Sequence, residues 1–151
     1  MPNPGGDKMP SREDIFKAVK ALKLTYTDKP QPEVLIRIPN SYPGQFEEEH
    51  ATMEFTSLCP FNPGQPDFAK LTIRYMPDQS LVELKSLKVY LASFRMVQIF
   101  HEEVAPLIVG TLYDLLNPYY LNMLAEFSIR GGIATVTNAK KIRPGWNPEL
   151  Q

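Results

Sequence analysis

The hydrophobic period of this chain changes twice, and the order of the patterns constrains its fold more than any other feature. Four segments alternate apolar and polar residues with the period of two that is typical of half-buried strands: 52–58, 68–76, 119–130 and 133–137. In the first segment, Met53 and Phe55 are predicted to share one face. Gly131 and Gly132 separate the last two segments and predict a tight hairpin turn. A shorter edge strand is predicted over residues 33–38.

Between the two hairpins, the apolar spacing becomes that of an amphipathic helix. The first helical stripe consists of Leu87, Tyr90, Leu91 and Phe94, which stand at i, i+3, i+4 and i+7. A second stripe starts at Phe100 and ends before Asn117-Pro118. We therefore predict an α+β domain in which an antiparallel sheet of two hairpins carries two helices on one face. Open sheet edges in so small a domain favour self-assembly as one way of covering them.

Fifteen prolines among 151 residues mark the places where regular structure is interrupted. Their positions predict an irregular N-terminal arm over residues 1–32, one domain over 33–140 and a C-terminal tail over 141–151. Ser11 followed by Asp14 resembles a helix cap and favours a short helix within the arm. A chain of this length is sufficient for one hydrophobic core.

The composition argues against several classes of protein. The formal net charge of −1 lacks the basic excess of a protein that binds nucleic acid or an anionic membrane surface. The most apolar stretch, 107–116, is too short to span a bilayer, and no secretory signal is expected in residues 1–10. The single cysteine excludes an internal disulfide and a multi-cysteine zinc site. We expect a cytoplasmic protein.

Cys59 lies where a predicted strand ends and a loop with three prolines begins. Free cysteine is often a small buried hydrophobic residue, and composition alone gives this interpretation about even weight. The stiff loop also suits a thiol held in a fixed place for attack on a carbon electrophile. Asp67 at the end of the loop is then a candidate proton source. The cysteine is thus either a packing residue or a nucleophile.

The two histidines stand in different settings. His50 lies beside Glu47-Glu48-Glu49 and is interpreted as part of a solvated acidic run. His101 precedes Glu102 and Glu103 at the predicted start of the second helix, where one acid is expected from the helix dipole alone. The imidazole and one carboxylate could also recognise the N–H donors of a heterocycle, so this pair is a candidate ligand-binding site.

Three cations are candidate phosphate ligands. Lys85 and Lys88 stand near the predicted start of the first helix, and Arg130 precedes the two glycines of the second hairpin. A helix N-terminus favours anions, but helix lysines are more often solvated, and both interpretations stay open. The chain contains neither the Rossmann fingerprint nor a P-loop.

The motifs that contain these residues resemble the QueF nitrile reductases, which are NADPH-dependent 7-cyano-7-deazaguanine reductases. The resemblance covers residues 54–133, and the length of the chain suits the short, single-module branch of the family. Four motifs occur in the family's order: Phe55-Thr-Ser-Leu-Cys59-Pro with Gly-Gln-Pro-Asp67-Phe, Glu83-Leu-Lys85-Ser86-Leu-Lys88, Phe100-His101-Glu102 and Arg130-Gly-Gly.

This resemblance implies a tunnelling fold in which small αβ subunits form rings with active sites at subunit boundaries. For the short branch it implies a homo-oligomer of two stacked pentamers. It also implies a reaction: Cys59 attacks the nitrile carbon, Asp67 donates a proton, and two NADPH reduce the covalent thioimide to the aminomethyl product. That step belongs to queuosine biosynthesis, a tRNA modification, but acts on the free base, so neither a nucleic acid nor a membrane partner is implied. No metal is implied.

The resemblance also assigns binding residues. The implied substrate-binding residues are Val82, Glu83, Leu84, His101 and Glu102. The implied cofactor-binding residues are Leu84, Lys85, Ser86, Lys88, Arg130 and Gly131.

One departure from the family concerns the loop between Cys59 and Asp67, which carries one residue more than the commoner loop. Two alternatives to the reductase stay open at this point. One is a metal-dependent cyclohydrolase of the same fold, and the other is a non-catalytic ring-forming protein in which Cys59 is buried.

Overall fold

The two predicted hairpins lie side by side in one four-stranded antiparallel sheet. The computed structural model describes residues 8–150. In chain order, its helices are α1 (Arg12–Ala21), α2 (Leu84–Ala92) and α3 (His101–Leu116). Its strands are β1 (Arg37–Pro39), β2 (Glu48–Leu58), β3 (Pro66–Met76), β4 (Ser80–Val82), β5 (Tyr120–Phe127) and β6 (Val136–Ile142). The sheet has the order β2-β3-β5-β6, while β1 and β4 pair separately. The predicted α+β class is confirmed.

Strands β3 and β5 form the centre of the core because both keep their alternation. Tyr75 stands opposite Leu121, and Ile73 stands opposite Met123. The inner positions of the two strands are no more than 2% exposed: Leu71, Ile73, Tyr75, Leu121, Met123 and Ala125. Val104 and Ile108 of the second predicted stripe pack against them from α3 and are fully buried, and Leu112, which the predicted stripe did not include, is buried beside them. The hydrophobic pattern predicted most of this part of the core.

The two core helices follow the predicted stripes closely. Helix α2 continues into a 3₁₀ helix over Ser93–Met96. Helix α3 ends at Asn117, whose backbone is left-handed with φ of 45°. Pro106 lies on the exposed side of the second turn of α3, which continues past it to Leu116. None of the helices in the described part of the chain is long and apolar enough to cross a membrane.

Strand β2 does not keep the predicted alternation. Its register with β3 shifts between Thr52 and Phe55, where two residues of β2 stand against one of β3. The side chain of Met53 is 74% exposed, whereas that of Phe55 is 2% exposed. The prediction that these two residues share a face is therefore wrong. Ahead of the shift, His50 takes a half-buried position.

Two further strand predictions need correction. The edge strand predicted over 33–38 is wrong at its start, because Pro32–Val34 forms a 3₁₀ helix and only β1 beyond it is extended. The last strand begins later than predicted, because residues 128–135 complete the hairpin. Gly131 and Gly132 form its tip with φ of 56° and 78°, which glycine adopts without steric cost.

The ends of the chain are more ordered than the proline pattern indicates. Ser11 caps α1 and accepts a hydrogen bond from the backbone N–H of Asp14 at 3.1 Å. Near the other end, the ring of Trp146 stacks on that of Tyr120 at 5.2 Å between centroids. The beginning of the predicted arm and the last residue of the predicted tail lie outside the described residues. The division into arm, domain and tail stays a prediction.

Ser86 connects the start of α2 to the segment that leads into β1. Its side chain is fully enclosed, donates to the backbone oxygen of Glu83 at 2.7 Å and accepts from the backbone N–H of Ile36 at 3.0 Å. Because a buried N–H without a partner is costly, this hydroxyl contributes to the stability of the helix start.

We expect Ser86→Ala to lower the free energy of unfolding by about 1–3 kcal/mol, because it leaves the Ile36 N–H buried without its acceptor. The measurement is urea denaturation of both proteins. The matched control is Ser128→Ala, since Ser128 is exposed and its change is expected to stay within about 0.5 kcal/mol. Equal effects of the two substitutions would contradict this role of Ser86.

Candidate active site

Cys59 follows the last residue of β2 and stands in a hairpin loop that closes on itself. Its backbone N–H donates to the oxygen of Gln65 at 3.1 Å, and the N–H of Gln65 donates to the oxygen of Asn62 at 2.9 Å. Residues 62–65 form a turn within the loop. The strands on either side keep their register, with Ser57 opposite Asp67.

Asp67 lies on the inner face of β3, where it is only 3% exposed. Arg130 from the tip of the β5–β6 hairpin donates a hydrogen bond to its Oδ1. The Nε2 atom of His101 lies 3.1 Å from its Oδ2, but outside the alignment of a hydrogen bond. The His101 ring also stacks on Phe127 with 3.9 Å between centroids. Residues that are far apart in the sequence thus converge on one buried carboxylate.

The environment of Cys59 stabilises its thiolate. The backbone N–H groups of Asn62 and then Phe61 lower the pKa of the Cys59 thiol, and desolvation partly opposes them. A hydrogen bond from Arg130 and its positive charge lower this pKa further. The thiol is half-buried and not enclosed in the core. These observations favour the nucleophile over the packing residue. Strand pairing brings the two predicted catalytic residues together, because Cys59 lies two residues beyond Ser57, which stands opposite Asp67.

The two glutamates at the start of α3 differ in their contacts. The carboxylate of Glu103 accepts the backbone N–H of Phe100 at 3.1 Å and so caps the helix. Glu102 is exposed and makes no hydrogen bond or ion pair with another described residue. The rings of Phe100 and Phe61 lie 5.4 Å apart, and that of Phe61 is 85% exposed. A free carboxylate and exposed aromatic rings are suited to a flat heterocycle with N–H donors.

A second set of predicted residues lines a groove of about 710 Å³ between β2 and α2, which we call the α2 groove. Glu83 caps α2 by accepting the backbone N–H groups of Lys85 at 2.9 Å and Ser86 at 2.7 Å. Lys88 is exposed, while the ammonium of Lys85 donates to the backbone oxygen of Val19 in α1 at 2.9 Å. The hydroxyl of Ser86 is enclosed, so in this structure it is not accessible to a cofactor.

The two sets of residues lie at opposite ends of the sheet. Asp67 and Tyr75 are eight residues apart on β3, a distance of about 26 Å at 3.3 Å per residue. The hydroxyl of Tyr75 accepts the backbone N–H of buried Val82 at 3.2 Å, so Val82 and Glu83 belong to the Tyr75 end. Arg130 and Gly131 belong to the Asp67 end. One copy of the chain therefore does not bring all the predicted binding residues together.

The α2 groove also contains a residue that the sequence analysis assigned to the surface. His50 lines this groove and is only 20% exposed, with its Nε2 3.4 Å from the Oε1 of Glu48. The hydroxyl of Tyr75 donates to the same carboxylate, and the His50 contact lowers the pKa of Glu48. The shift in β2 register places His50 here. No local signal marks this position, because the alternation set by Phe55, continued back without the shift, puts His50 on the opposite face. Within residues 8–150, no three His, Cys, Asp or Glu side chains form a group that could hold a metal ion.

We expect the alkylation of Cys59 by iodoacetamide to reach its half-maximal rate at a lower pH than an ordinary thiol, because a lowered pKa yields thiolate earlier as pH rises. Arg130→Gln is expected to move this midpoint upward, since it removes a stabilising charge. Arg130→Lys is expected to restore part of the shift. The rates are measured by intact-protein mass spectrometry.

The control for this experiment is Lys88→Gln, which removes an exposed cation at the far end of the sheet and should leave the midpoint unchanged. A midpoint in Arg130→Gln equal to that of the wild type would show that the guanidinium does not stabilise the thiolate. The shift is expected to be partial, because the backbone N–H groups of Asn62 and Phe61 remain.

Comparisons with known proteins agree with the motifs. A family model described as QueF-like protein matches residues 66–146. A protein of Thermomicrobium roseum is 50% identical over 115 residues, which cover 76% of this chain and 89% of the relative. A protein of Bacteroides thetaiotaomicron is 44% identical over 124 residues, 82% of each chain. Both are named NADPH-dependent 7-cyano-7-deazaguanine reductase.

A solved structure, the archaeosine synthase QueF-Like in the apo form, superposes with a TM-score of 0.55 at 21% identity. The superposition covers 65% of this chain and 93% of the solved chain, and at this identity it shows only that the two share a fold. The predicted tunnelling fold is confirmed. The family model spans more than half of the chain and the relatives cover about three quarters of it or more, so this chain belongs to the QueF-like protein family.

Proposed function

We propose that this chain reduces the nitrile of 7-cyano-7-deazaguanine to an aminomethyl group at the expense of two NADPH, as a step of queuosine biosynthesis. The names of its relatives support this activity. The observation that carries the proposal is the guanidinium of Arg130, which donates to the buried carboxylate of Asp67 and lowers the pKa of Cys59, two residues beyond the strand partner of Asp67. A thiol with a lowered pKa beside a carboxyl group is suited to addition across a nitrile.

In the first step, the Cys59 thiolate attacks the nitrile carbon and forms a carbon–sulfur bond. The carbon–nitrogen triple bond becomes a double bond, and its nitrogen takes a proton from Asp67, which His101 protonates first. The product is a thioimide held on Cys59. His101, whose Nε2 lies 3.1 Å from Asp67, is placed to return a proton to that carboxylate.

Two hydrides are then required, and NADPH supplies one each time it is bound. The first makes the thioimide carbon tetrahedral, after which Cys59 leaves as thiolate and an imine remains. The second hydride, together with a second proton delivered through His101 and Asp67, reduces the imine to the amine. Cys59 thus returns to its starting state, and the protein needs to bind the nucleotide twice for each substrate. The exposed lysine of the α2 groove, the groove volume and Arg130 fit a phosphate-bearing cofactor.

The ring of the substrate is assigned to Glu102, whose carboxylate is unoccupied by other described residues and accepts N–H donors. The half-exposed ring of Phe100 and the exposed ring of Phe61 offer a flat apolar wall beside it. Because Glu103 performs the capping, Glu102 is available for recognition.

The complete site is assigned to two copies of the chain. Val82 and Glu83 lie beside Tyr75 at one end of β3, and Asp67 lies at the other, about 26 Å along the strand. A substrate that contacts both ends therefore needs a neighbouring copy. Strands β2 and β6 each have one partner in the described sheet, so both leave an edge open for such a neighbour. Two stacked pentameric rings are the assembly that the resemblance implies.

The direct test is intact-protein mass spectrometry with 7-cyano-7-deazaguanine and without NADPH. We expect the wild type to gain the mass of one substrate per chain, because addition across the nitrile loses no atoms. Cys59→Ala is expected to gain nothing. Added NADPH should discharge the adduct and release the amine. Asp67→Asn is expected to form the adduct at least about tenfold more slowly, since its proton donor is missing.

A folded wild type that forms no adduct and oxidises no NADPH would contradict the proposal. Metal analysis and thiol labelling of the same preparation would then separate the two alternatives. Bound metal would favour a cyclohydrolase, and slow, non-saturable labelling of Cys59 would favour a ring-forming protein without catalysis.

The two-copy site predicts that inactive variants complement each other. We expect Cys59→Ala and Glu83→Gln to be nearly inactive alone. Mixed oligomers of the two should recover up to about a quarter of the wild-type activity, because that fraction of neighbouring pairs combines an intact Cys59 with an intact Glu83. NADPH oxidation is measured after dissociation and reassembly of the mixture.

The matched control mixes Cys59→Ala with Asp67→Asn. Both residues belong to the same end of one copy, so every site in this mixture lacks one of them, and no recovery is expected. If the Cys59→Ala and Glu83→Gln mixture also fails to recover, the two groups do not act across neighbouring copies.

A further inference from the structure

The α2 groove has a third cation that the reaction has not yet used. Arg95 lines the groove together with Lys85 and Lys88. It stands seven residues beyond Lys88, in the 3₁₀ helix that continues α2. Two helical turns separate the two side chains by about 11 Å along the groove. The wall therefore presents one cationic group near the start of α2 and another near its end.

Arg95 contacts Tyr26 of the N-terminal arm, and this contact leaves its positive charge unpaired within the described residues. Its Nη1 donates to the hydroxyl of Tyr26 at 2.9 Å, and its guanidinium lies over the Tyr26 ring at 5.1 Å from the centroid. Within the described residues it has no carboxylate partner, whereas Arg74, Arg130 and Arg143 each have one. The arginine is exposed, so its remaining N–H groups are accessible to an anion.

The surroundings of Arg95 suit the adenosine end of a dinucleotide. Leu87 and Leu91 of α2 and Leu24 of the arm provide apolar walls in the same groove. A planar guanidinium binds a phosphate through two parallel N–H groups, a geometry that a lysine does not provide. The contact with Tyr26 orients this plane in advance, so less side-chain freedom is lost on binding.

NADPH and NADH differ only in a phosphate on the 2′-oxygen of the adenosine ribose. We propose that Arg95, oriented by Tyr26, binds this 2′-phosphate and is the residue by which the chain prefers NADPH. Lys85 and Lys88 then contact phosphates that the two nucleotides share. This inference rests on the proposed use of NADPH, and it gives the N-terminal arm a part in cofactor recognition through Tyr26 and Leu24.

The test is direct titration of the full-length chain with NADPH and with NADH, each followed by nucleotide fluorescence. We expect Arg95→Gln to raise the Kd for NADPH by about 10- to 100-fold, the range of a lost hydrogen bond to a charged group. The Kd for NADH should stay within about twofold. Arg95→Lys is expected to recover only part of the NADPH affinity, because lysine keeps the charge but lacks the two parallel N–H groups of the guanidinium.

The comparison variant is Lys88→Gln, which should weaken both nucleotides alike. Unfolding of each variant in urea checks that the fold is intact. Equal weakening of NADPH and NADH by Arg95→Gln would assign Arg95 to a shared phosphate and overturn the proposal, and so would unchanged binding of both. If the wild type binds neither nucleotide, the proposed reductase itself fails, which is a different result.

Discussion

The burial of one carboxylate organises this protein. Asp67 is almost fully enclosed, and burying an isolated charge costs more free energy than the whole net stability of a small domain. The structure offsets that cost by bringing Arg130 from the second hairpin to Oδ1 and His101 from the start of α3 to Oδ2. Strand β3, the β5–β6 hairpin and α3 must therefore meet correctly, because removing one member of a buried pair costs about 3–5 kcal/mol.

The residues that meet at Asp67 also affect the proposed nucleophile. Arg130 also lowers the pKa of the Cys59 thiol, so the group that compensates the buried charge also favours the thiolate. At the far end of the sheet, the carboxylate of Glu83 performs a comparable double task, since it caps α2 and lines the α2 groove. In both places, a charged side chain with a structural contact also belongs to the candidate site. Their separation along β3 is the reason that the proposed site needs two copies of the chain.

Sequence patterns predicted much of the fold and failed at identifiable places. The alternation on β3 and β5 located the core correctly because both strands are regular and half-buried. The pattern misplaced Met53, because a register shift in β2 reverses the faces, and the shift depends on pairing with β3. The three-residue strands β1 and β4 are too short to carry a period. The same shift hid His50, which looked like part of an acidic surface run but lies in the α2 groove.

The residue types of the site were determined by the sequence itself: a single thiol, one carboxylate at the end of a stiff loop, and cations near two turns. Their motifs were specific because each depends on local spacing, which the chain encodes directly. The pairing of Arg130 with Asp67, the enclosure of Ser86 and the position of His50 in the α2 groove were decided only by the tertiary structure. These features depend on contacts between segments distant in the chain, and long-range packing, unlike local spacing, is not written in any one segment.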